Sequence, residues 1–160
     1  MSIATRLVLL ASLALTACAT PTASTPHATA SRSQPFVIAA NPIAAQAGIE
    51  VLRRGGSAVD AAVAVQAMLS LVEPQSSGVG GGAFMNYYDA ASRKIIVYDG
   101  REVAPAQASP AMFLDSAGQP LPFADAVLSG RSTGVPGAVA ILALAQAEHG
   151  RLAWHDLFGS

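Results

Sequence analysis

The segment Ala58–Val72, AVDAAVAVQAMLSLV, constrains the fold more than any other part of the chain. It has the length and composition of a helix, yet its only polar residues are Asp60, Gln66 and Ser70. A helix that is apolar nearly all round has to be covered on most of its sides. Its many alanines let a neighbouring helix or sheet come close. It is shorter than the roughly 20 residues that span a hydrocarbon core, so the pattern predicts a central buried helix. Ser57 and Asp60 supply its start, a capping hydroxyl with an acid three residues later in a variant of the capping box. Composition points the same way: 52% of residues are hydrophobic and only 12% charged, which leaves few side chains to face water. The net charge of -1, with no Lys/Arg cluster beyond Arg53-Arg54, argues against nucleic acid as a partner.

Shorter signals flank this helix. Phe36–Ala40 is an apolar run that predicts a buried strand, and Asn41-Pro42 offers a cap and a proline at the first helical position. The helix that follows runs to about Arg54, with Gln46, Glu50, Arg53 and Arg54 on one polar stripe, and Gly55-Gly56 stops it. After a glycine-rich loop, Ser76 to Gly82, the runs Ala83–Tyr88 and Ile95–Tyr98 predict a hairpin with its turn around Ser92 to Lys94. Pro105 to Pro122 holds four prolines and predicts a surface segment with one helical turn near Ala111 to Leu114. Pro136 to His149, closed by Gly150, predicts a third helix, and Trp154 to Phe158 the start of a fourth. The fold class is α/β (α+β). Residues 36–160 make either one modest core or part of a larger one.

The amino terminus has a different grammar. Arg6 followed by the apolar run Leu7–Leu15 has the order of a secretory signal, and the run is too short for a membrane span. Leu15-Thr16-Ala17-Cys18 is similar to a bacterial lipobox, which makes residues 1–17 a lipoprotein signal peptide and Cys18, the only cysteine, the lipidated terminus. Residues 18–35 are rich in Ser, Thr, Ala and Pro and read as a flexible tether. The expected location is the periplasm, anchored to the outer membrane, because Ala19 stands where an inner-membrane protein has aspartate. The other end, Gly159-Ser160, completes no element, and a fragment of a longer precursor is the expectation.

A search for chemistry is largely negative. No His or Cys pair has metal-ligand spacing, and no metal or cofactor is expected. The glycine-rich loop lacks the Lys-Ser/Thr ending of a P-loop and leads into a strand, which disfavours phosphate binding. His27, His149 and His155 read as structural or solvated. Ser76, Ser77, Ser132 and Thr133 lie near glycines without an identifiable base, so turn and cap roles are the safer assignment. The exception is Asp99-Gly100-Arg101-Glu102, a knot of charge after an apolar strand in a chain that has little charge elsewhere. An arginine there can clamp a carboxylate through two parallel hydrogen bonds, or form an ion pair with Asp99 or Glu102.

Six ordered pieces carry a specific resemblance: Asn41–Gly48, Gly55–Ala62, Gly80–Met85, Asp99–Pro105, Met112–Asp115 and Gly134–Gly137. Together they resemble the opening of the large-subunit region of the gamma-glutamyltranspeptidase (glutathione hydrolase) family, over residues 37 to 158. Ala83 departs from the more usual glycine. The resemblance implies the amino-terminal portion of an N-terminal nucleophile hydrolase, a four-layer αββα sandwich, incomplete in this chain. It implies a precursor that cuts itself into two subunits, with a threonine beyond this chain as nucleophile and, through its free amine, as base. Gamma-glutamyl compounds such as glutathione are then the substrates, with water, amino acids or peptides as acceptors. Arg101 matches the arginine that binds the glutamyl α-carboxylate. No catalytic residue is expected within the chain itself. Two other readings are a related acylase of the same superfamily and a surface lipoprotein that binds peptides or glutathione without catalysis.

Overall fold

The computed structural model describes residues 34–159. The expectations for the signal segment, for Cys18, for His27 and for the tether up to residue 33 lie outside the described residues. Helix α1 (Pro42–Arg53) starts as its sequence predicts: the Asn41 side chain accepts a hydrogen bond from the Ile43 N–H at 3.0 Å, and Pro42 opens the first turn. The same side chain donates from its amide to Glu73, the C-cap of the next helix, at 3.2 Å. One residue thus ties the start of α1 to the end of α2 (Ala58–Val72). The capping box on α2 forms in full, with Ser57 Oγ accepting from the Asp60 N–H at 3.1 Å and Asp60 accepting from the Ser57 N–H at 2.8 Å.

Strands β1 (Ala83–Asp89) and β2 (Lys94–Gly100) form an antiparallel hairpin, with Ala83 opposite Gly100 and Tyr88 opposite Ile95. Side chains alternate between its faces. Met85, Tyr87, Ile96 and Tyr98 point inward, whereas Phe84, Tyr88, Ile95 and Val97 are exposed. A short helix α3 (Phe123–Leu128) and a 3-10 turn (Gly130–Ser132) precede helix α4 (Ala138–His149), and a second 3-10 turn follows at Trp154–Leu157. The core has two joined parts. Val51, Ala61, Val63, Ala64, Leu142 and Leu157 pack together, and Val59, Tyr98, Ile141 and Ala145 pack beside them, with Met85 touching both groups. The end of β2 and the start of α4 touch backbone to backbone: a Cβ at Gly137 would lie 2.7 Å from the Gly100 carbonyl carbon. Glycine is required there for the close approach.

Several expectations are corrected. Phe36–Ala40 is not a strand, since it has no pairing partner among the described residues. Its side chains still alternate, with Val37 and Ala39 half-buried and Phe36 and Ile38 exposed. Helix α2 is buried only over its first half; from Val65 to Ser70 it is half-covered, and Leu71 is exposed. Helix α4 begins at Ala138 and not at Pro136, because Val135 is held in a bridge to Val103. The segment Trp154–Leu157 makes a 3-10 turn and does not open a fourth long helix. Among the described residues no helix is long and apolar enough to cross a membrane.

Candidate ligand cleft around Arg101

Three pieces distant in sequence converge where β2 ends. The Gly81 carbonyl accepts from the N–H groups of Gly137 and Ala138, at 3.2 and 3.1 Å, at the otherwise uncapped start of α4. Val103 and Val135 exchange backbone hydrogen bonds at 3.3 and 2.8 Å. Glu102 locks the junction, accepting from the Gly82 N–H at 2.7 Å. A Cβ at Gly82 would come within 2.5 Å of Glu102 Oε2, so only glycine lets the carboxylate reach the loop backbone. The Glu102 carboxyl is held below its ordinary range by its own backbone N–H first and the Gly82 N–H second; desolvation opposes this and Arg101 adds a smaller pull.

Arg101 sits beside this anchor. Its backbone N–H donates to Asp99 Oδ1 at 2.9 Å, and its guanidinium Nη1 lies 2.9 Å from Glu102 Oε2. Of the two acids that sequence offers as ion-pair partners, Glu102 takes the guanidinium and Asp99 takes the backbone. The Arg101 side chain remains 69% exposed against 32% for Glu102. Oε2 is buried and has no well-aligned hydrogen bond, so the pair is one of charge and distance more than of directed bonding. Only Nη1 of the guanidinium is paired with Glu102, leaving donors for a second carboxylate.

The cleft in front of Arg101 has a volume of about 410 Å³. One side is Arg101 to Pro105, another is Ala108, Met112 and Phe113, and a third is Arg131 to Gly134. A larger cleft of about 490 Å³ lies between α1, α2 and Leu157 to Gly159. It is mainly apolar, with Glu50 and Arg54 as its charged residues, and brings together no set of donors suited to a polar ligand. Among the described residues no three His, Cys, Asp or Glu side chains are grouped to hold a metal ion.

The remaining candidates are placed apart. Ser76 Oγ donates to the Glu73 carbonyl at 3.5 Å, and Ser132 Oγ to those of Val127 and Ser129 at 2.9 and 3.1 Å. Neither these hydroxyls nor Ser77 and Thr133 have a histidine or carboxylate partner among the described residues. His149 stacks on Tyr87 with ring centroids 4.2 Å apart, and His155 is exposed beside Asp156 at 3.2 Å. Sequence reasoning missed Arg131, which shares the cleft with Arg101. Its only signal was a cation inside Gly130-Arg-Ser-Thr-Gly134, a polar stretch in a charge-poor chain.

Comparison with known proteins gives consistent matches. The profile of the family described as Gamma-glutamyltranspeptidase matches residues 44–160. The glutathione hydrolase proenzyme of Bacillus subtilis (strain 168) is 48% identical over 102 residues, covering 64% of this chain and 17% of that protein. A gamma-glutamyltranspeptidase from Pseudomonas nitroreducens, solved in complex with L-DON, matches with a TM-score of 0.71 at 34% identity, over 79% of this chain and 37% of that one. The Helicobacter pylori gamma-glutamyltranspeptidase matches with a TM-score of 0.71 at 33% identity, over 79% and 36%. The described residues therefore form part of the N-terminal nucleophile hydrolase fold, and the chain spans 17% of that curated relative's length.

Proposed function

The chain belongs to the gamma-glutamyltranspeptidase family, and from that premise we propose that it supplies the carboxylate-recognition part of an enzyme that cleaves gamma-glutamyl amides such as glutathione. The observation that carries this reading is the exposed guanidinium of Arg101, held at a cleft by a glutamate that is itself fixed to the Gly82 backbone. A free α-carboxylate distinguishes a gamma-glutamyl group from most acyl groups. A planar donor pair recognises it with defined geometry, which a lysine does not. In the complete precursor, self-cleavage frees a threonine at the start of a small subunit. Its hydroxyl attacks the γ-carbonyl, its own amine takes the proton, and the amine of the substrate leaves protonated. The resulting ester passes its glutamyl group to water, an amino acid or a peptide. Export and a lipid anchor at Cys18 complete the reading and place the enzyme at the periplasmic face of the outer membrane. A fatty-acid probe should label the wild type and not Cys18→Ala; equal labelling removes the anchor.

The test of the cleft uses the complete precursor. Arg101→Gln should mature into two subunits on a gel, yet raise KM for a gamma-glutamyl anilide about tenfold or more, with Arg101→Lys recovering only part. Normal maturation with unchanged kinetics would take Arg101 out of the site.

A further inference from the structure

Arg131 approaches the same cleft from a segment distant in sequence from Arg101. Its position is built and not incidental. It lies in the 3-10 turn Gly130–Ser132, which hydroxyls tie to α3: Ser132 Oγ donates to the Val127 and Ser129 carbonyls, and Ser129 Oγ to the Ala126 carbonyl at 2.8 Å. Its guanidinium is steadied by one hydrogen bond, Nη1 to the Met112 carbonyl at 3.3 Å. A neutral carbonyl leaves the charge uncompensated, and Arg131 has no carboxylate within ion-pair distance among the described residues. Among the described residues the only acid lining the cleft is Glu102, already engaged with Arg101 and the Gly82 N–H. Two guanidinium groups against one carboxylate leave the cleft a net positive charge. Its volume of about 410 Å³ is that of a site for a ligand the size of a short peptide.

We infer that Arg131 is a specificity-determining residue that favours gamma-glutamyl compounds carrying a further carboxylate on the amine side of the scissile amide. This rests on the reading of the cleft given above: Arg101 takes the glutamyl α-carboxylate, and Arg131 attracts the second anion at the other segment of the wall. A ligand with two carboxylates offers one to each of the two arginines that line the cleft, whereas its amide analogue leaves Arg131 with water. Because Arg131 is exposed, the expected preference is modest and screened by salt.

The test compares two substrates that differ by one charge, glutathione and the same peptide with its C-terminal carboxylate converted to an amide, in the complete, matured protein. In wild type kcat/KM should favour the acid over the amide, and Arg131→Gln should lower that ratio about two- to fivefold. Arg131→Lys should retain most of it, since a point charge suffices for an exposed anion. An unchanged ratio in Arg131→Gln overturns the inference. If that variant does not mature, the wild-type ratio decides: it should fall as salt rises from about 0.05 to about 0.5 M, and a flat response overturns the inference equally. Arg101→Gln separates this from the underlying reading, because it should depress kcat/KM for both substrates alike. If it depresses neither, the reading of Arg101 fails, while the acid-to-amide ratio still judges Arg131.

Discussion

Asp60 and Glu102 both stitch together segments far apart in sequence by accepting backbone N–H donors, but in different surroundings. Asp60 is fully buried and meets four donors: the N–H groups of Ser57 at 2.8 Å, Arg151 at 2.8 Å and Leu152 at 3.3 Å, and the Gln146 amide at 3.4 Å. Glu102 is a third exposed, meets one backbone donor from another segment, and shares its second oxygen with an arginine that remains open to solvent. A carboxylate that is saturated acts as a fixed bolt between the start of α2 and the turn after α4. One with spare capacity can hold a neighbouring cation in place without consuming it. The difference separates a junction whose acceptor is saturated from one that leaves a charged group open to solvent.

Removing the bolt should have the largest effect. Asp60→Ala leaves the Ser57, Arg151 and Leu152 N–H groups, all in part-buried hydrogen bonds, without their acceptor and removes half of a capping box. The expected loss is about 2 to 4 kcal/mol of stability, read as a lowered melting temperature and poor maturation of the complete precursor. Asp60→Asn should be milder and should change the acid limb. Burial pushes the Asp60 carboxyl up, but hydrogen bonds from Ser57, Arg151, Gln146 and Leu152 outweigh it and hold the group below its ordinary 3.8. The stabilisation it gives is therefore present above about pH 3.8 and is lost as pH falls through the depressed value. The asparagine variant should show a flatter loss of stability below that pH; an acid limb identical to wild type would show that Asp60 is not the bolt.

How much of this was legible depended on range. The capping box was readable because Ser57 and Asp60 are three residues apart, and the hairpin because its runs and turn are contiguous. That Asp60 also receives Arg151 and Leu152 was not, since nothing local marks a carboxylate as an acceptor for a turn some ninety residues on. Arg101 stood out as charge in an apolar setting, and Glu102 as one of two adjacent partners. The Gly82 N–H that fixes Glu102 did not, because a glycine that admits a distant side chain looks like any loop glycine. Phe36–Ala40 misled for a related reason: period and composition describe a strand's surface but not whether backbone is available to pair with it. Helix α3 went unseen because it is six residues long and buries none of them, so no periodic stripe announced it.

The cleft junction should respond in function before stability. In the complete protein, Glu102→Ala removes both the acceptor for Gly82 and the ion pair, and is expected to raise KM for a gamma-glutamyl substrate about two- to fivefold as Arg101 loses its orientation. Glu102→Gln keeps an acceptor for Gly82 and should recover part of that loss. Equal KM values for the two variants would show that the Gly82 hydrogen bond positions nothing, and the contrast with Asp60 would then rest on exposure alone.

Tyr98 offers the smallest and sharpest test, because it lies between the two cases: a buried donor bound to a half-exposed acceptor. Its hydroxyl donates to Glu148 at 2.5 Å, joining the inner face of the hairpin to the last turn of α4. Burial, reinforced by that hydrogen bond and by the Glu148 charge, raises the phenol from 10.0 to about 12. If saturation governs the cost of losing a tie, Tyr98→Phe should be cheap near neutrality, about 1 kcal/mol, because Glu148 can turn to water while the ring keeps its packing. The alkaline side should then reverse the comparison. A folded-state pKa above the unfolded one means that Tyr98 stabilises the fold below about pH 10, and that this contribution is lost as pH rises toward about 12. Phenylalanine has no proton to lose, so the gap between variant and wild type should narrow across that interval in a chemical-denaturation series. A gap that stays constant with pH would mean that the phenol is neither buried nor held by Glu148 in the folded protein.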